Sequence, residues 1–305
     1  MGDPLLRSGT RHRLGQIYFS VGEYRRAIEL LRESVDLLGE LAGTADELGY
    51  VLGVGPQAWL GYGLAFLGEF QEAISFARQA LRLAEAGGRP GDLIVSLGAL
   101  GAIYLVKGDH RDAIQSLERG LALCQRWGIL DWSPTISSGL ALAHAHEGRL
   151  AAAITLHQRA EEEEARGTQG TPTTGFLRLC ETYLLADRVG AARACAERAL
   201  SLSRTAGERS SEARALRLLG EVEAGGDQAD VVGAERLLRQ ALLRSEEFGL
   251  RPHAARCHLS LGVLYVRTGR REQSQGHLAT ALAMFREMEM TYWLQKVEAE
   301  QKMGA

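Results

Sequence analysis

The sequence of 305 residues predicts an all-α solenoid, a row of antiparallel helix hairpins in which each hairpin is buried chiefly by its neighbours. Three observations carry this. A phrase made of Leu, a small residue, a larger residue three places on, a turn residue and then Ala recurs roughly every 40 residues. Glycines close the second helix of successive copies at the same interval. Apolar side chains follow i, i+3 and i+4, as in Ala27, Ile28, Leu31, Val35 and Leu38, and the period-two alternation of a strand is absent.

The copies run in order along the chain. The first reads Leu14-Gly15, Tyr18, Gly22, Ala27, and the second Leu60-Gly61, Leu64, Gly68, Ala73. Leu100-Gly101, Tyr104, Gly108, Ala113 and Leu140-Ala141, His144, Gly148, Ala153 follow. The fifth, Leu179-Cys180, Tyr183, Asp187, Ala192, has Asp at the turn. The sixth, Leu219-Gly220, Glu223, Ala234, is lengthened at its turn, and the seventh reads Leu261-Gly262, Tyr265, Gly269, Ser274. Gly87, Gly128, Gly167, Gly207 and Gly249 end second helices, where positive φ favours glycine. The small residue of each pair allows the second helix of its hairpin to approach closely, and the Ala does the same from the other side.

These spacings give seven hairpins in one solenoid over 1–305, at about 8–40, 54–87, 94–128, 134–167, 173–207, 211–249 and 253–290. A last helix at 291–303 carries Trp293, Leu294 and Val297 on one side, which suits a solvated cap on the seventh hairpin. Ser133-Pro134 reads as a helix start with Ser at the N-cap. Leu41 to Tyr50 and Gly225 to Gln228 read as loop insertions, with specialised contact loops the alternative, and Glu161 to Glu164 as a solvated acidic face, with an acidic docking patch the alternative.

Leu100, Gly101, Tyr104, Ala113 and Leu117 resemble the tetratricopeptide repeat (TPR), a resemblance that extends from about Thr10 to Met288. The period exceeds the family's 34 residues and no Pro closes the second helix, which fits the longer repeats of kinesin light chains and of large bacterial transcriptional activators. The stretch from Arg251 through Leu261-Gly262, Tyr265 and Met284-Phe285 to Tyr292-Trp293 resembles the TPR tail of bacterial regulators that join a nucleotide cyclase, an AAA-type ATPase and repeats. No phosphate-binding loop of the form G-x-x-x-x-G-K-[ST] occurs, and Met1-Gly2 reads as a remnant of cloning, so an excised tail of a larger protein is the expectation. The resemblance implies a right-handed superhelix that holds a protein or peptide. Its concave groove, lined by the first helix of each hairpin, would carry Gln16, Phe19, Tyr62, Phe66, Leu105, His146, Glu181, Arg214, Arg217 and Glu221. Replacing Tyr62 and Arg217 with Ala together would test that assignment. The Lys/Asn/Arg clamp of chaperone-binding TPRs is not reproduced.

Composition narrows the alternatives. The chain is 46% hydrophobic and 24% charged, with a net charge of −3 and no Lys/Arg block, so neither disorder nor nucleic-acid binding is expected. Apolar runs such as Leu97 to Val106 are short and interrupted by glycine, so no membrane span and no membrane partner are expected. Cys124, Cys180, Cys195 and Cys257 lack C-x-x-C spacing and read as buried thiols of a reducing compartment, the cytoplasm by default. Cys180 and Cys195 would face each other across one hairpin. The eight histidines form no metal-binding pattern, and no nucleophile comes with a base and an orienting group. The expected function is therefore a protein- or peptide-binding module without cofactor or catalysis, the regulatory or scaffolding tail of a bacterial signalling protein, with self-association open. The competing expectation is a sensor that closes around a small-molecule or peptide inducer.

Overall fold

The computed structural model describes residues 3–41, 48–165, 172–225 and 229–304. Within these, fifteen helices and no strand occur. The hairpins are α1 (Pro4–Ser20) with α2 (Tyr24–Leu41), α3 (Leu48–Leu67) with α4 (Phe70–Gly87), and α5 (Pro90–Lys107) with α6 (His110–Trp127). They continue as α7 (Ser133–His146) with α8 (Leu150–Ala165), α9 (Pro172–Leu185) with α10 (Val189–Ala206), and α11 (Arg209–Ala224) with α12 (Val231–Glu247). The seventh pairs α13 (Arg251–Arg267) with α14 (Arg271–Glu287), and α15 (Thr291–Gly304) follows. The fold is a TPR-like helical solenoid.

The repeated phrase acts as the spacing argument requires. Ala27, Ala73, Ala113, Ala153, Ala192 and Ala234 are fully buried, each against the first helix of its own hairpin. A methyl group on Gly61 would stand 2.6 Å from the carbonyl oxygen of Ala73, so here backbone meets backbone. Gly22, Gly68, Gly108 and Gly148 take positive φ at the turns, and Asp187 takes φ 55° in the fifth copy, as its alignment with the glycines implies.

Several expectations are corrected. α4 is closed by Gly88 (φ 64°), with Gly87 its last helical residue. Trp132 occupies the N-cap of α7, and the Ser133 hydroxyl instead donates to Glu163 at 2.6 Å. Glu163 is buried and also accepts from Arg159 Nε at 3.1 Å, so the acidic run is not wholly a solvated face. α5 is 18 residues long and apolar enough to span a bilayer; it is packed against α3, α4, α6 and α7. Gly167, Met1-Gly2 and most of both proposed insertions lie outside the described residues.

The largest departure is at the C-terminus. Met290, Trp293 and Val297 are buried, and they share one apolar cluster with Leu64, Phe70 and Tyr104 of the second and third hairpins. α15 is therefore more than a solvated cap. The solenoid winds back upon itself, so that the junctions of its last hairpins rest on the turns of its first. Arg209 Cβ lies 3.2 Å from where a Gly22 methyl would stand, Met288 Sδ 2.5 Å from one on Gly68, and Trp293 Nε1 3.0 Å from one on Gly108. Polar contacts follow the same ladder: Arg209 to Glu23 at 3.3 Å and Gln71 to Glu289 at 3.1 Å.

Candidate functional site

Winding back narrows the surface that the first helices present inward into partly open clefts. Three adjoining cavities result, of about 230, 70 and 320 Å³. The first and second share Tyr62, Ala102 and Arg178; the second and third share Glu181 and Arg256. Together they form one track along the axis, apolar at one end and charged at the other.

The apolar end is built by α1, α3, α5 and α7. Phe19 stacks on Tyr62 at 5.2 Å between ring centres and meets Trp59 and Phe66 edge-on at 5.3 and 5.4 Å. Tyr24 stacks on Phe66 at 5.1 Å. Such offset and edge contacts hold the rings rigid, so the wall is set before anything occupies it. Ala99, Ala102 and Ile136 complete it with small or aliphatic surface.

The charged end centres on Glu181 of α9. It pairs with Arg256 of α13, lies 3.7 Å from Arg217 of α11, and accepts from His146 Nε2 at 3.2 Å. Burial works against its charge, but Arg256, His146 and Arg217 hold the carboxyl well below the usual carboxylate range. Arg217 also pairs with Glu221, which accepts from the Ser260 hydroxyl as well. His146 Nδ1 and the Tyr292 hydroxyl share a hydrogen bond at 3.1 Å, which ties α15 into the network. His110 stacks on His146 at 4.3 Å, and burial, then the neighbouring imidazole, pushes it down to about 3. His253 is held neutral by burial and by Arg217, Arg256 and Arg214 around it.

Of the ten residues assigned to the groove, nine line this track. Phe19 and Tyr62 border the first cavity, Phe66, Leu105 and Arg214 the second, and His146, Arg217 and Glu221 the third, with Glu181 between the last two. Gln16 does not reach it: its amide oxygen accepts from Arg13 at 3.2 Å, on the rim. Arg217 is also a poor probe for an alanine test, because its loss would take the ion-pair partner from Glu221 and one of two arginines from buried Glu181, which itself costs stability. Sequence reading missed Trp59, Arg178, Arg256 and Trp293. A signal existed for two of them. Trp59, Ala99 and Arg178 each stand one place before the Leu-small pair of their copies and all face the first cavity.

Among the described residues no three His, Cys, Asp or Glu side chains gather in a metal-holding group, and all four cysteines are free and buried. Burial raises the thiols, Cys195 to about 11 and Cys180 further, so neither is a ready nucleophile.

Two tetratricopeptide-repeat family models match the sequence, over residues 8–46 and 56–126. No curated protein matches it significantly. Among solved structures, a Rap conjugation gene regulator of plasmid pLS20, in complex with the Phr* peptide, superposes with a TM-score of 0.69 at 15% identity, over 90% of this chain and 72% of that one. A Rap protein complexed with competence and sporulation factor gives 0.67 at 12% identity, over 96% and 80%. A signal transduction ATPase with a TPR sensor, from Pyrococcus horikoshii, gives 0.53 at 15%, over 95% of this chain and 45% of that one. At these identities the likeness is one of fold.

Proposed function

Given that the chain carries tetratricopeptide repeats wound into a closed solenoid, we propose that it is a regulatory binding module that takes a peptide or small inducer along its axis. The observation that carries this reading is the continuous internal track, with a rigid aromatic wall at one end and paired charges at the other. A broad groove would suit a folded partner; the second winding narrows this one into partly open clefts, which favours the sensor reading over a scaffold. The solved Rap complexes, one with the Phr* peptide and one with competence and sporulation factor, and the TPR sensor of the ATPase support the same reading by likeness of fold.

The binding face comprises Phe19, Tyr62, Phe66, Leu105, His146, Glu181, Arg214, Arg217 and Glu221. The reading is one of binding rather than catalysis, since Glu181 and Glu221 are held in ion pairs and His253 is kept neutral by burial. The free, buried thiols suit a reducing cytoplasm. A signalling protein in which this solenoid is the sensing tail is the setting that fits best, and Val232 and Leu243 on α12 are exposed apolar positions that self-association would cover.

The test is a peptide-display selection against the purified chain. Ala102→Trp fills the junction of the first and second cavities and should weaken selected peptides by about tenfold or more, roughly 1.4 kcal/mol, while leaving the melting curve cooperative. Peptides that bind this variant as well as the parent, but lose affinity when Leu243→Arg alters the outer surface, would move the site off the axis.

A further inference from the structure

Resting on the axial reading above, we infer that the track contains an anion subsite built on Arg178, which receives the carboxylate of a ligand whose apolar body fills the aromatic cavity.

Arg178 is 6% exposed and lies on α9, where the first and second cavities meet. Its hydrogen bonds run through Nη1 alone, to the Thr135 carbonyl at 2.7 Å and the Ser138 hydroxyl at 3.0 Å. Nε and Nη2 have no partner among the described residues, and no carboxylate pairs with the group. The nearest acid along the helix, Glu181, is already taken by Arg256, Arg217 and His146. Arg214, which lines the second cavity, forms no ion pair among the described residues either. Two guanidinium groups thus stand near one another without an ion-pair partner among the described residues, in a protein whose other interior arginines, Arg217 and Arg256, are paired.

A buried arginine with no ion-pair partner is costly to keep. Burial, with Arg214 adding to it, pushes Arg178 down to about 10, so it still carries its proton at neutral pH. Both bonds at Nη1 orient the fork and leave its other edge free, on a residue that lines both cavities. That is the geometry by which a guanidinium receives a carboxylate through parallel hydrogen bonds.

The rest of the site selects what is attached to the acid. Phe19, Trp59, Tyr62, Ala99 and Ile136 present carbon surface over about 230 Å³, somewhat larger than the roughly 150 Å³ void that holds a benzene ring. One aryl or branched aliphatic group with a short linker fits. Ser20, Thr135, Thr174, Ser210 and Ser211 also line this cavity, as does Glu208, whose carboxylate opposes a phosphate dianion more strongly than a monocarboxylate. The shared chemistry is a monocarboxylate on an apolar body, supplied either by the free C-terminus of an apolar peptide or by a small aryl or branched acid.

Calorimetry on the full chain at neutral pH separates these sources. The probes are 4-phenylbutyrate and its amide, an acetylated tripeptide of two alanines and a terminal phenylalanine as free acid and as amide, and inorganic phosphate. We expect at least one acid to bind about tenfold or more tighter than its own amide, and phosphate to bind no better than the amides. Preference for the tripeptide acid assigns the site to a chain terminus, and preference for phenylbutyrate to a small acid. Arg178→Met should abolish the preference while melting at the same or a higher temperature, since an apolar side chain of similar length replaces an unpaired charge. Arg178→Lys, which keeps the charge but not the fork, should fall between. Equal binding of acid and amide, phosphate binding as well as either acid, a preference that survives Arg178→Met, or no binding by any probe overturns the subsite. If acid and amide bind equally and Ala102→Trp removes both, the subsite alone fails and the axial cavity stands.

Discussion

His157 is 3% exposed on α8, with Nε2 3.0 Å from the Thr182 hydroxyl. Burial first, and the Arg178 charge second, push it down to about 3. In the unfolded chain the same imidazole titrates near 6.5, so protons bind the unfolded state preferentially. Its contribution to stability is therefore complete above about pH 6.5 and drains as pH falls toward 3, at up to roughly 1.4 kcal/mol per unit. His157→Gln should flatten the fall in urea midpoint between pH 6.5 and 4 by about that slope. An unchanged slope would show that His157 is protonated in the folded state. The histidines illustrate what is hidden at this scale. Spacing excluded a metal pattern, but it could not show that His110 stacks on His146 or that His157 faces Thr182, because those pairings join different hairpins.

At the scale of the helix, the paired small residues were the most legible feature. Gly61 and Ala73 were assigned to a close approach from spacing alone, and the structure brings their backbones together. Since the obstacle to a Gly61 methyl is the Ala73 carbonyl at 2.6 Å, no rotamer change relieves it. Gly61→Ala should destabilise the chain by about 1–3 kcal/mol in chemical denaturation, despite the gain of about 1 kcal/mol that alanine brings to a helix interior. A more stable variant would mean that α3 and α4 can separate at little cost. Helix ends were legible to within a few residues, and Gly88 for Gly87 shows the limit: adjacent glycines are equally permissive, and only the hydrogen bond from the cap amide to the Ala84 carbonyl selects one.

For the molecule as a whole, the sequence predicted a row of hairpins and missed that the row closes. The reason is physical. Gly22, Gly68 and Gly108 already have a local explanation in the positive φ of their turns, so nothing in their identity advertises the second one, that Arg209, Met288 and Trp293 leave no space beside them. Gly108 and Gly148 separate the two causes. Both have positive φ, but a Gly148 side chain would meet nothing within 4 Å, whereas one on Gly108 would meet Trp293 and Tyr292 at 3.0 and 3.1 Å. Asn tolerates this backbone region, so Gly148→Asn should leave the molecule closed. Gly108→Asn should lift α15 and raise its amide exchange about tenfold or more, an opening cost lowered by roughly 1.4 kcal/mol. Equal exchange in the two variants would show that the contact at Gly108 does not hold the windings together.

A coil spring whose turns already touch cannot be compressed; its one compliant direction is extension. The seating of the Arg209, Arg251 and Met288 junctions on the Gly22 and Gly68 turns puts this chain in that state. Close-packed contacts of this kind resist further approach steeply and release over a short distance. Whatever enters the axis can therefore be signalled in two ways, by clamping the coil shut or by prising it longer, and never by shortening it.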